Sequence, residues 1–434
     1  MRHRPWPSVL TPGGGFSLQD RRPPEAKILQ VQRLPLAILL ILLFFPSPGA
    51  RADLSSPVLK WEARFLWPIH WITTSEGGVT LIGSDHGSTM QAYDAVRGTR
   101  LWQRSLRAGL WSAPALRGNR LFLSPHDQSL WSMRVETGEY LWRLGPRFPE
   151  GSPLLPGVSP PLNRAAPVLL TEEIATISLD GQVSVLSSSG TILRQADLQP
   201  GRFHPDGFWA TPVALDGILY TGTTRGNLWR VPLQALDRAT RILLEAPSER
   251  GLGLASREVR APLLVASNRI LVATMDGTLR GFEPRPIRLV PSWTTTLGPP
   301  GVYQMSSQGR ALAGPVLAPE ETQVYLALRD RVVALSPDDG QVVWERPLDE
   351  KAETPPACWR DTLLVGLQTS RLLVLDRSSG EPLSALDLPG PPTAGPEVWG
   401  DLVTLGFADG TIRCYDLSAS AKASSSPTAI RMPR

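Results

Sequence analysis

Short runs of alternating apolar and polar residues, broken by Gly-containing pairs, recur along the chain and predict β-strands joined by tight turns. Residues 396–416, PEVWGDLVTLGFADGTIRCYD, show the unit most clearly. Pro396 opens an inner strand, Gly400 and Asp401 make the first turn, LVTLGF is the second strand and TIRCYD the third. Between the last two, Asp409 and Gly410 supply the φ > 0 backbone that a tight hairpin demands. The pair recurs at Asp180-Gly181 and Asp276-Gly277, with Arg225-Gly226 and His86-Gly87 as variants.

A fourth strand follows, marked by a Gly, three further residues and one aligned position. The segments are AYDAVRGTRLW ending at Trp102, SMRVETGEYLW at Trp142, ALSPDDGQVVW at Trp344 and VLDRSSGEPLS at Ser384. Units open at Pro114, Pro167, Pro212, Pro262, Pro315, Pro356 and Pro396, and one more without Pro begins near Thr74. Self-similarity at roughly 40 to 50 residues with four strand signals per unit marks propeller blades rather than a helical array.

The eighth unit lacks an outer strand, because the Ser- and Ala-rich end of the chain cannot bury a sheet face. The missing strand stands at the other end: SPVLKWEARF, residues 56–65, has a Trp and the flanking pattern of an outer strand with no three strands before it. The expected fold is therefore all-β, an eight-bladed β-propeller of four-stranded antiparallel blades over residues 53–418, its ring closed by the N-terminal strand of the mature chain. Trp61, Trp102, Trp142, Trp293 and Trp344 are expected to pack between neighbouring sheets, where truncating a fully buried ring costs about 3–5 kcal/mol. Stacking on a sugar or cofactor is the alternative role for them.

A chain of 434 residues exceeds what one core usually fills, but in a ring each blade packs only on its two neighbours and one domain suffices. Ahead of the repeats, Leu34 to Phe45 form an apolar run followed by Ala50, Arg51 and Ala52. A short apolar core and an A-x-A site describe a secretory signal peptide, too short to span a bilayer, with cleavage expected after Ala52. Residues 1–52 are thus read as an N-terminal extension plus signal peptide, the first thirty as a gene-call artefact, and residues 419–434 as a disordered tail. A disordered cytoplasmic tail on a signal anchor is the other reading of the start. The mature protein is expected to be exported, periplasmic and monomeric, peripheral at the outer membrane.

The formal charge of +4 misleads. Residues 1–52 carry seven of the basic residues and only two of the acidic ones, so the remainder is close to neutral. The nucleic-acid reading that a pI of 9.3 invites loses its support. The two cysteines, Cys358 and Cys414, fall at different strand positions of adjacent units, so two buried apolar thiols are expected ahead of a disulfide.

MRVETGEYLW, ALSPDDGQVVW and VLDRSSGEPLS carry the pattern apolar-x-Ala-x-Asp-x-x-Thr-Gly-x-x-x-Trp, and in this the chain resembles the pyrroloquinoline-quinone-like (PQQ-like) repeat family from Val58 to Leu417, with units three to five degenerate. Eight blades, a signal peptide and near-minimal size look most like the propeller subunits of bacterial outer-membrane β-barrel assembly machines. That resemblance implies a non-catalytic scaffold that binds protein partners, outer-membrane assembly components among them. Those subunits are lipoproteins, whereas this leader has no Cys at its cleavage site. Quinone-dependent dehydrogenases share the repeat and imply the alternative, an oxidoreductase holding pyrroloquinoline quinone (PQQ) with calcium. They have longer chains and an adjacent Cys pair beside the cofactor, which is missing here. A ligand-sensing propeller for glycans or peptides is a third reading.

Connections from the outer-strand position to the next unit opening fall into two groups. Four span 12 or 13 residues; the other four, from Trp142 to Pro167, Arg194 to Pro212, Ile242 to Pro262 and Trp293 to Pro315, span 18 to 25 and are consecutive. All such connections leave one face of a propeller, so these four should build a wall over half of the rim. Candidate partner-binding residues in it are Arg147, Phe148, Phe203, His204, Phe208, Trp209, Arg250, Arg257, Tyr303 and Arg310, since aromatics and Arg dominate protein-protein hot spots. Self-packed loops are the alternative. Catalytic signals are scarce: His70, His86, His126 and His204 are dispersed, and neither H-E-x-x-H nor G-x-S-x-G occurs. No catalytic, cofactor or metal residue is assigned.

Overall fold

Alternation dictates the sheets. In each blade successive side chains point to opposite sides, one toward the preceding blade and one toward the next, so both faces must be largely apolar. The computed structural model describes residues 57–84, 87–106, 108–127, 129–145, 165–200, 206–244, 257–298 and 315–418, all within the unit that starts at Ala52. They form eight four-stranded antiparallel sheets. Blade 1 covers residues 71–105, blade 2 115–144, blade 3 168–197, blade 4 213–243, blade 5 264–296, blade 6 316–347 and blade 7 357–387. Blade 8 combines residues 392–416 with the N-terminal strand Val58–Arg64, which pairs antiparallel with Thr411–Asp416 from Val58↔Asp416 to Arg64↔Thr411. The ring is closed by non-covalent pairing of the chain's two ends, as the sequence implied.

Six of the unit-opening prolines precede their inner strands, while Pro396 lies inside one, Pro392–Trp399. Proline suits an inner edge strand, whose outward N–H has no ladder partner to lose. The first unit opens at Trp71, not near Thr74: its inner strand is Trp71–Thr74, so Thr74 ends it.

Five outer-strand tryptophans clamp their blades to the next. Trp102 of blade 1 donates from Nε1 to the Val135 carbonyl of blade 2 at 2.7 Å, and its ring covers Gly138, where a Cβ would lie 2.6 Å from Cδ2. Gly138 has φ +63, so it serves both the turn and the close approach. Trp61 reaches Ala95 O at 2.8 Å, Trp142 reaches Ser188 O at 2.9 Å, Trp293 reaches Pro337 O at 3.2 Å and Trp344 reaches Arg377 O at 3.0 Å, each in the following blade. Next to each of these tryptophans, and at the aligned Arg194 and Ser384, the outer strand carries a β-bulge.

Three joints lack the Trp. Between blades 3 and 4, Arg194 replaces it, with Nε donating to Leu233 O at 2.7 Å while Nη2 pairs with Glu173. Between blades 4 and 5 the aligned Ile242 cannot donate, and Arg230 from the third strand bonds the Pro286 carbonyl. Between blades 7 and 8, Ser384 leaves its Oγ buried without a partner. Blade 8 has no third-to-fourth-strand turn, because its fourth strand comes from the other end of the chain. There is no Gly for a ring at position 384 to cover.

Among the described residues, apolar clusters fill the joints: Leu81, Met90, Leu121 and Met133 meet between blades 1 and 2, for example, and Ile270, Val272, Tyr220 and Leu228 between blades 4 and 5. Both cysteines are free thiols; Cys414 is fully buried in the third strand of blade 8, and burial pushes its thiol up to about 11.

Candidate functional site

Two ends of the ring differ in what they carry. The first and third turns of a blade share one end, as the Ala95 N to Gly78 O bond at 2.9 Å shows. The central turn and the connection to the next blade share the other, where Leu198 N bonds Gly181 O at 3.0 Å. The connections from blade 3 to 4 and from blade 4 to 5 return by wedging between two central turns. Phe208 N bonds Leu179 O at 3.1 Å while Thr224 N bonds Gly207 O at 2.9 Å, and Val259 N bonds Thr223 O at 3.0 Å while Met275 N bonds Glu258 O at 3.0 Å.

This wedge decides which side chains face outward. Phe208 and Val259 point into the blade joints and are fully buried. Phe208 is therefore a core residue, not a partner contact: its ring fills the joint between blades 3 and 4 beside Trp229, centroids 6.2 Å apart. Trp209 and Arg257 stay half-buried at the connection end. The remaining candidates, Arg147, Phe148, Phe203, His204, Arg250, Tyr303 and Arg310, lie outside the described residues.

Around Trp209 and Arg257 the structure assembles a cluster of guanidinium groups. Arg260 lies over the Trp209 ring at 4.4 Å and pairs with Glu258. Arg225, from the central turn of blade 4, is half exposed and 3.5 Å from the buried carboxylate of Asp206. Asp206 is itself held by Asn227 and through its backbone by Gln199, at 2.9 and 3.1 Å. Arg257 packs its Cβ against Gly226, and its Nε is buried with no hydrogen-bond partner. Two of the three guanidiniums pair with carboxylates, Arg225 with Asp206 and Arg260 with Glu258. Arg225 and Arg260 were missed by sequence reading, although one sits in a variant hairpin pair and the other two residues before a unit-opening Pro.

The described residues contain no cluster of three His, Cys, Asp or Glu side chains able to hold a metal ion, and the two cysteines lie in different blades. Among the described residues no helix is long and apolar enough to cross a membrane.

Tryptophan-clamped blades closed by the N-terminal strand define a propeller of the PQQ-like repeat class. The chain belongs to the family described as outer membrane protein assembly factor BamB, whose model matches residues 51–239 and 179–425. Among solved structures, BamB from Moraxella catarrhalis is similar at a TM-score of 0.59 and 17% identity, covering 83% of this chain and 98% of that one. Quinohemoprotein alcohol dehydrogenase from Comamonas testosteroni is similar at a TM-score of 0.63 and 12% identity, covering 89% of this chain and 79% of that one. At such identities both show the fold alone. Protein Rv3035 of Mycobacterium tuberculosis is 30% identical over 177 residues, 38% of this chain; the match spans only 40% of that relative.

Proposed function

We infer that this protein is a non-catalytic scaffold that binds protein partners through the connection end of the ring, in the assembly of outer-membrane proteins at the periplasmic side. The observation that carries the reading is the concentration of Arg225, Arg257 and Arg260 around Trp209 where the long connections between blades 3, 4 and 5 return to the ring. Arg and Trp are the side chains most enriched in interface hot spots, and a stiff ring that holds them loses little entropy on docking. Membership of the assembly-factor family supports the direction, as a warrant from fold and family rather than from a site. The quinoprotein alternative is weaker, since the adjacent Cys pair that the resemblance to those dehydrogenases implies is missing from this sequence.

Photo-crosslinking in intact cell envelopes tests this. A benzophenone amino acid at Arg225 is expected to capture an outer-membrane assembly component, identified by mass spectrometry, and the same group at Arg134 on the opposite end is not. Equal capture from both ends, or none from either with both proteins folded, overturns the reading.

A further inference from the structure

Ile287 stands 79% exposed at the tip of the third turn of blade 5, between Arg285 and Arg288, which are exposed as well. The tip also projects. In blades 1, 3, 6 and 7 the outer hairpin opens at the carbonyls of Ser88, Gly181, Asp330 and Ser370 and closes at the N–H groups of Asp94, Ser187, Ser336 and Asp376, six residues on. In blade 5 it opens at Gly277 and closes at Arg285, eight residues on. At about 3.3 Å per residue, the two further residues carry the tip about 7 Å beyond the level of those turns. It is held there, with Arg285 N bonded to Arg288 O at 2.9 Å and the buried Arg230 of blade 4 donating to the Pro286 carbonyl. Arg285 pairs with Glu283 at 2.8 Å, while Arg288 makes no ion pair among the described residues.

On the same end of the ring, a groove of about 600 Å³ opens between blades 3 and 4. Its lining comes from the first turns of the two blades and the third turn of blade 4, joined by the bond from Leu233 N to Gly217 O at 3.0 Å, and so lies at the end away from the connections. Leu169 and Leu170 of blade 3 face Leu215 and Leu233 of blade 4 as its walls. Each first turn adds an exposed carboxylate at the rim, Glu172 on one side and Asp216 on the other. The third carboxylate, Glu173, is held by Arg194 at 2.6 and 2.7 Å, and Arg194 also donates to Leu233 O at 2.7 Å. That tie between the walls fixes the groove's shape, with Glu172 and Asp216 left to receive cations.

We propose that the tip of one copy of this chain docks in the groove of a second copy, and that the contact is made twice around a two-fold axis. Polarity and charge agree. Ile287 meets the leucine walls, and the guanidiniums of Arg285 and Arg288 meet Asp216 and Glu172 while their aliphatic stems lie along the same walls. Within one chain the two do not meet, since Ile287 is left in water. An axis midway between tip and groove brings both pairs together at once, which is the self-complementarity of an isologous dimer. Two small contacts make a weak, reversible dimer, in place of the monomer expected from the sequence. The connection end stays free for the partners inferred above, and the dimer does not rest on that reading.

Sedimentation velocity of the purified protein over roughly 1 μM to 1 mM, the span of weak affinities, tests it. Self-association is expected, weakening about tenfold or more between about 0.01 and 1 M salt as the charges are screened. Arg285→Glu with Arg288→Glu reverses the tip, and Glu172→Lys with Asp216→Asn reverses the groove, Asn being tolerated at the positive φ of residue 216. Each reversed variant alone should associate about tenfold more weakly or worse. Mixed in equal amounts they should recover the wild-type affinity, because in the mixed pair an acidic tip meets a basic groove and a basic tip an acidic one. Ile287→Ser, at a position exposed in the single chain, should weaken association without shifting the urea midpoint of the monomer. A monomer throughout the range, association undiminished in both reversed variants, or no recovery on mixing overturns the proposal.

Discussion

Truncating Trp102 to Ala should test the clamp between blades 1 and 2 and, by contrast with position 384, the logic of the whole ring. The Trp102 side chain is 6% exposed, belongs to the cluster with Leu81, Met133 and Val135, and covers the backbone of Gly138. Removing a buried ring of this size costs about 3–5 kcal/mol. Its indole bond to Val135 O is lost as well, and Arg104, which donates to Gly138 O at 2.7 Å, no longer packs beside the ring. Trp102→Phe keeps most of the stack and loses the N–H, so a smaller loss of about 1–3 kcal/mol is expected. Ser384→Ala occupies the aligned place in blade 7 but removes only a hydroxyl that has no partner; stability should stay within about 0.5 kcal/mol or rise slightly. Urea unfolding followed by far-UV circular dichroism gives all three midpoints at comparable m-values. A cost below 1 kcal/mol for Trp102→Ala, or equal costs at positions 102 and 384, would refute the clamp.

Deleting residues 56–65 removes the strand that closes blade 8 and should lower the melting temperature far more than deleting residues 422–434; equal effects would sink the closure argument. Glu397 of blade 8 accepts the Thr74 N–H of blade 1 at 2.7 Å, and burial pushes its carboxyl up to about 7. The folded state therefore favours the neutral acid: its contribution is complete below the ordinary carboxylate range and is lost as pH rises through 7, so Glu397→Gln should melt above wild type at pH 8, by about 3 kcal/mol at most, with the gap closing at pH 5. Burial raises both the Cys414 and Cys358 thiols, so a thiol reagent at pH 8 should label Cys414 only on unfolding, and one disulfide in the native protein would contradict the free-thiol assignment.

Most of the ring was legible because a blade's constraints are local and repeated. Asp94 shows this: its carboxylate takes the N–H groups of Val96 and Arg97 at 3.0 and 2.7 Å, the latter holding it below the usual carboxylate range, and so sets the turn that delivers Gly98 beneath Trp61. Position, turn and docking ring all follow from a dozen residues. Outward-facing residues of the connections were less legible, because which of two neighbours points out depends on how the segment wedges between two distant turns. Phe208 and Trp209 are adjacent and equally aromatic, yet one fills a core and the other lies under Arg260. Nothing local separates them; the bonds from Phe208 N to Leu179 and from Thr224 to Gly207 do.

Ser384 joins the local and the global logic. Read alone, a Ser in a Trp position is a degenerate repeat. In the ring it is the one outer-strand site that faces a blade whose third and fourth strands are not covalently joined, so the turn glycine that a Trp ring would cover does not exist there. The seam is held instead at its inner end, where Arg360 pairs with Asp401 at 2.7 Å. A Trp introduced at 384 should therefore gain none of the clamp energy measured at 102, despite restoring the repeat consensus. The departure in blade 7 thus follows from closure of the ring, whereas those at Arg194 and Ile242 are met by other donors, Arg194 itself and Arg230.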